Sequence, residues 1–127
     1  MEYKQKFTVT AEVTLTQQNI DDIMVAALEG GINYWCRKAE VVEEKRCADW
    51  GHEQIARGGV LILHDAESGD SWELTREKFL AGFKLWLENG GDVYGAVSDG
   101  TVDTGEIDAD CADSIIQYAI FGEVRFG

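Results

Sequence analysis

Apolar and polar residues alternate strictly near the start of the chain. Phe7, Val9, Ala11, Val13 and Leu15 are separated by Thr8, Thr10, Glu12 and Thr14. A period of two, rich in β-branched residues, predicts a strand with one buried face. At Thr16 the period changes. Ile20, Ile23, Met24, Ala27 and Leu28 recur at helical spacing, so one stripe of a helix is apolar. The Thr16 hydroxyl is placed to cap that helix, Asp21 and Asp22 lie near its positive end, and Gly30-Gly31 stops it.

Asn33 to Val42 reads as a strand on its Tyr, Trp and Val content, and Glu43 to Gly51 as a polar loop. His52 to Arg57 reads as one helical turn before Gly58-Gly59. Val60 to His64 is a continuous apolar run, the pattern of an interior strand. Asp65 to Asp70 is a turn, and Ser71 to Leu74 returns as the second arm of a hairpin. Thr75 then opens a second helix, about Arg76 to Asn89, with Phe79, Leu80, Phe83, Trp86 and Leu87 as its buried stripe and Gly90-Gly91 as its stop. Asp92 to Ile107 is rich in Gly and Asp, with short apolar patches at Val93-Tyr94 and Ala96-Val97 and room for one short strand. Asp108 caps a third helix carrying Ala112, Ile115, Ile116, Ala119 and Ile120. Gly122 ends it, and Glu123 to Phe126 reads as a last strand.

These elements predict a single α+β domain over residues 1–127. A mixed or antiparallel sheet of about five strands would carry three helices. The sequence Leu-Thr, helical stripe, Gly-Gly and a Tyr three residues on occurs twice, ending at Tyr34 and Tyr94. Duplication of a βα unit is one explanation, and convergent cap and stop chemistry is the other.

The charge adds more to this picture than the bulk composition does. The chain has 24 acidic residues against 11 basic ones, a net charge of −13, and no proline. Such a chain repels nucleic acid and anionic membranes and is drawn to basic surfaces. The imbalance is concentrated. Asp99, Asp103, Glu106, Asp108, Asp110 and Asp113 follow one another with no Lys or Arg between them. The opening Met-Glu-Tyr-Lys-Gln-Lys lacks the apolar core of a signal peptide, and no run reaches the roughly 20 residues of a membrane span. Three cysteines without CxxC spacing argue against a disulfide framework. The expected setting is a reducing cytoplasm.

Candidate chemistry is sparse. Cys36, Cys47, His52 and His64 are separated by ten, four and eleven residues, unlike the close pairs of a zinc knuckle. No nucleophile elbow flanks a cysteine, and no phosphate-binding glycine motif follows a strand. Asp99 to Asp110 approximates a calcium loop. However, its sixth position is Thr104 rather than glycine, and its twelfth is Asp110 rather than the longer Glu. The sequence therefore predicts a protein that is not an enzyme and has no metal or cofactor. Arg57-Gly58-Gly59 is either an oxyanion cradle or a helix C-cap, and the cap is favoured. Trp35 and Trp50 flank the polar loop as candidates to stack a base or anchor a partner, against the default of core or edge packing.

The segments Ala27-Leu-Glu-Gly-Gly-Ile-Asn-Tyr-Trp-Cys36 and Ile115-Ile-Gln-Tyr-Ala-Ile-Phe-Gly-Glu-Val-Arg-Phe-Gly127 resemble small acidic proteins of phages and mobile elements in gut Firmicutes. That family has no assigned activity, so no site residue is carried over. The resemblance implies an accessory protein of a mobile element, one that opposes host defence in the manner of an anti-CRISPR. The expected mechanism is occupation of a basic nucleic-acid-binding groove on a host effector. The acidic series Asp99 to Asp113 would make the contact, with Trp35 and Trp50 as anchors. Two alternatives are a sponge for a small signalling nucleotide, built on Arg57, Trp35 and Trp50, and a phage accessory protein with no defence role.

Overall fold

The amide of Asn19 donates to the Thr16 hydroxyl at 3.0 Å, and the Thr16 amide donates to the Asn19 side chain at 3.0 Å. This reciprocal box satisfies two of the free donors at the start of helix α1, Gln17–Ala26. The computed structural model describes residues 4–127. Past Ala26 the helix widens into a π turn, Ala27–Gly31, so the helical run ends at the expected Gly30-Gly31 stop. A Cβ on Gly31 would lie 2.6 Å from the carbonyl oxygen of Ala109, so only glycine lets this turn abut that backbone.

Strand β1 is Cys36–Val41, shorter than the expected Asn33 to Val42. The residues before it close a turn, with the amides of Trp35 and Cys36 both donating to the Ile32 carbonyl. The polar loop holds a 3-10 turn at Glu43–Lys45. The anticipated single helical turn divides into two, Gly51–Glu53 and Ile55–Arg57. Strands β2, Leu61–Asp65, and β3, Ser71–Leu74, complete an antiparallel sheet of order β1-β2-β3. Ala39 faces Leu63, Val41 faces Leu61, and Leu61 faces Leu74 across it.

Thr75 caps helix α2, Arg76–Glu88. A two-residue hairpin follows, β4 Val97–Ser98 against β5 Thr101–Val102. Asp108 caps helix α3, Ala109–Phe121, and Gly122 ends it at φ +73°. One core unites the elements: Ile20, Ile23 and Met24 of α1, Phe79, Phe83 and Trp86 of α2, Ile115 and Ile116 of α3, and Leu61, Leu63 and Leu74 of the sheet. The result is α+β, with three α-helices and two separate antiparallel sheets rather than one sheet of five strands.

Two expected strands are absent. Residues 7–15 run extended but join no sheet. Val13 and Leu15 pack on the core, whereas Phe7 and Val9 are 82% and 87% exposed. Alternation specifies the faces of a strand, but a strand also needs a neighbouring strand to take its hydrogen bonds. Here residues 8–11 lie beside Lys84, Leu87 and Glu88, and the Thr14 amide makes a single bond to the Gly100 carbonyl, so no ladder forms. Glu123 to Phe126 likewise forms no ladder. Its amides at Arg125 and Phe126 both donate to the Gln117 side-chain oxygen at 2.7 Å, so a buried glutamine replaces a partner strand.

Candidate functional site

The acidic segment is a built surface, not a loose loop. The Asp92 carboxylate accepts from the amides of Ala96 and Val97 at 2.7 and 3.0 Å, fixing the entry to β4. Asp99 adopts φ +53° at the hairpin tip beside Gly100, a backbone region that Asp tolerates better than most residues. The Gly100 carbonyl accepts from the Thr14 amide at 2.7 Å. Asn19 reaches the Val102 carbonyl, and the Thr104 hydroxyl donates to Asp22 at 2.8 Å. The hairpin is thereby tied to the start of α1.

Asp99, Asp103, Glu106, Asp108 and Asp110 are all exposed. Asp103 holds the Gly105 amide and Asp108 holds the Cys111 amide, both hydrogen bonds at helix or turn starts. The ion pairs among the described residues are Lys38–Glu40, Arg46–Glu43, Arg57–Asp21, His64–Glu40 and Arg125–Glu123. None of the five acids belongs to one.

Asp113 does not belong to this face. It is buried and accepts from Tyr34 at 2.6 Å, Trp35 at 2.8 Å and Gln117 at 2.9 Å. Its place on the inward stripe of α3, beside Ala112 and Ile116, determines this. A carboxylate has acceptor sites only, so three donors satisfy it without a cation. Burial first, and then the carboxylate of Asp113, push the Tyr34 phenol up to about 12. The ring of Tyr34 is exposed although its hydroxyl is engaged.

The two tryptophans also part company. Trp35 is 2% exposed. Its ring stacks on Phe126 at 5.2 Å and meets Trp72 and Phe121 at 5.9 and 5.7 Å. It is a core residue, because its indole N–H needs the buried acceptor that Asp113 supplies. Trp50 is 66% exposed. Arg57 forks onto Asp21 at 2.9 and 3.1 Å and donates to the Glu53 carbonyl. Gly58, at φ +90°, is the C-cap that the Arg-Gly-Gly motif favoured. With Arg57 committed to Asp21 and Trp35 inside the core, the base-and-phosphate cradle of the nucleotide alternative is not assembled.

An apolar feature beside the acidic face was not singled out from the sequence. A groove of about 210 Å³ lies between Trp86, Val93, Tyr94, Tyr118 and Val124, with Asp110 on its edge. Val93 and Tyr94 are 70% and 58% exposed. The signal was present: two large apolar residues stand inside a Gly- and Asp-rich stretch that gives them little to pack against. Gly91 opens the groove, since its Cβ position is already occupied by the Trp86 indole.

The remaining candidates are scattered. Cys36 and Cys111 are buried and Cys47 is exposed, all as free thiols. Burial raises the Cys36 thiol. Burial and Asp108 push Cys111 up to about 11, far from the thiolate a nucleophile requires. His64 bonds Glu40 at 2.9 Å. Among the described residues no group of three or more His, Cys, Asp or Glu is arranged around a metal position, and no helix is long and apolar enough to cross a membrane. Comparison with protein-family models, curated proteins and solved structures gives no match.

Proposed function

We propose that the chain is a non-enzymatic binding protein whose acidic face engages a basic surface on another protein. The observation that carries this reading is the set of five exposed carboxylates that make no ion pair among the described residues, Asp99, Asp103, Glu106, Asp108 and Asp110, of which Asp110 also lines the Val93–Tyr94 groove. Unneutralised charge speeds encounter with a basic partner, and an adjacent apolar groove supplies the contact that slows release. Tyr94 takes the anchoring role that the sequence suggested for Trp35.

The partner such a face fits best is a protein with a basic groove built for nucleic acid. Occupying that groove makes the chain an inhibitor of a nucleic-acid-binding host effector, in keeping with the anti-defence role implied by the resemblance to mobile-element proteins. The test is titration against such effectors, with their grooves empty or filled by an oligonucleotide, between about 50 and about 300 mM salt. Affinity is expected to fall at least about tenfold across that range, mainly through the association rate, and to be competed by the oligonucleotide. The quadruple variant Asp99→Asn, Asp103→Asn, Glu106→Gln, Asp110→Asn should bind more weakly and lose the salt dependence. Binding that is indifferent to salt and to these substitutions overturns the reading.

A further inference from the structure

The segment at residues 7–13 has the side-chain pattern of a strand and makes no backbone hydrogen bond among the described residues. Its apolar residues Phe7 and Val9 stand in solvent. The same fold leaves a complementary vacancy. Among the described residues strand β1 pairs with β2 on one side only, and its outer edge at residues 37–41 makes no backbone–backbone hydrogen bond outside that ladder, the Lys38 carbonyl accepting only from the Cys36 thiol there. Along that edge runs a groove of about 480 Å³, walled by Leu28, Ile32, Cys36 and Ala39 together with the polar Asn33, Arg37 and Lys38. An unpaired strand and an unpaired edge are each a liability in water, and each satisfies the other.

We propose that residues 7–11 of one copy add antiparallel to the outer edge of β1 in a second copy, and that the exchange is reciprocal. One register matches both faces. With Phe7 opposite Val41 and Val9 opposite Ala39, the apolar side chains meet the half-buried positions of β1 and the groove beneath them. Thr8 then faces Glu40 and Thr10 faces Lys38 on the solvent side. In this register Lys6 is diagonal to Glu40 and Glu12 is diagonal to Lys38, so the charges are complementary at both ends. A shift of one residue would put Phe7 and Val9 in water and Thr8 and Thr10 over the groove. Reciprocal exchange closes under two-fold symmetry and leaves neither segment unpaired. The acidic face takes no part, so the two proposals stand or fall separately.

The test is mass in solution by light scattering and sedimentation on the full chain. A dimer is expected at micromolar concentration. Val9→Pro, at an exposed position whose backbone makes no hydrogen bond among the described residues, should give a monomer with an unchanged circular dichroism spectrum. In a Cys47→Ser background, Val9→Cys and Ala39→Cys on separate chains should form a mixed disulfide on oxidation, faster than Val9→Cys pairs with itself. Glu12→Lys should weaken the dimer, and Lys38→Glu in the same chain should restore it. A wild-type monomer up to about millimolar concentration overturns the proposal and leaves the strand for another protein's sheet edge. A dimer indifferent to Val9→Pro, or faster self-pairing of Val9→Cys, overturns it as well.

Discussion

The indole Nε1 of Trp35 donates to Oδ1 of Asp113 at 2.8 Å, joining residues 78 positions apart in the chain. The other carboxylate oxygen takes the Tyr34 hydroxyl, and Gln117 approaches the same group while its own oxygen holds the C-terminal segment. One buried acid therefore connects the turn before β1, helix α3 and residues 125–126.

Replacing that acid tests the connection. Asp113→Asn keeps the shape but turns an NH₂ group either on the Trp35 indole and Gln117 amide, which can only donate here, or on the Tyr34 hydroxyl, which must then stop donating and accept. Leaving one buried donor unsatisfied costs about 1–3 kcal/mol. The urea midpoint should fall accordingly, with the slope of the transition unchanged and no dependence of the loss on salt. An Asp113→Asn chain as stable as the wild type would place Asp113 back on the surface.

Helices α2 and α3 cross where Gly82 meets Ala119. A Cβ on Gly82 would lie 2.5–2.7 Å from Ala119 atoms, two of them backbone. Backbone cannot rotate away, so the helices must separate and the Phe83 and Trp86 contacts loosen. Gly82→Ala is expected to cost about 1–3 kcal/mol despite alanine's better helix propensity. Thermal unfolding gives the sign directly, because propensity alone predicts stabilisation.

The Tyr34 phenol supplies a pH signature. Its pKa is raised in the folded chain, to about 12 from an ordinary 10. The folded state therefore holds its proton longer than the unfolded state does. The associated stability is complete below pH 10 and is lost as pH rises toward 12. Tyr34→Phe should flatten the fall in melting temperature over that window. Ultraviolet titration of the native chain should show one tyrosine ionising late, a component missing from the variant.

Local chemistry made the helices legible. Thr16, Thr75 and Asp108 cap them as their hydroxyl and carboxylate groups dictate, and the apolar stripes are buried at Ile20, Ile23 and Met24, at Phe79, Phe83 and Trp86, and at Ala112, Ile115 and Ile116, whereas Leu80 is exposed. Long-range pairing was not legible. The alternation at Phe7–Leu15 encodes faces but not a neighbour, and Glu123–Phe126 finds Gln117 instead of a strand. The same gap separates the members of the candidate site. Asp110 and Asp113 look alike in sequence and, three residues apart on a helix, lie toward the same side of it. What buries Asp113 is the arrival of Tyr34 and Trp35 from the far end of the chain. Arg57 was equally ambiguous until Asp21 closed on it from α1.

The exposed acids should respond in the opposite way to Asp113. Asp99, Glu106 and Asp110 add exposed like charge to a chain with net charge −13, and among the described residues they form no ion pair to offset it. Neutralising them to Asn or Gln removes repulsion and no hydrogen bond from the folded state, so the melting temperature should hold or rise, most at low salt. Wild-type stability should itself increase with added salt, and the gap to the variant should close as screening takes over. Asp108 is the exception on this face, since its carboxylate holds the Cys111 amide at the start of α3. Asp108→Ala should cost about 1 kcal/mol at every salt concentration. A face where Asp99→Asn, Glu106→Gln and Asp110→Asn all destabilise as Asp108→Ala does would be structural, with its charge already spoken for inside the fold.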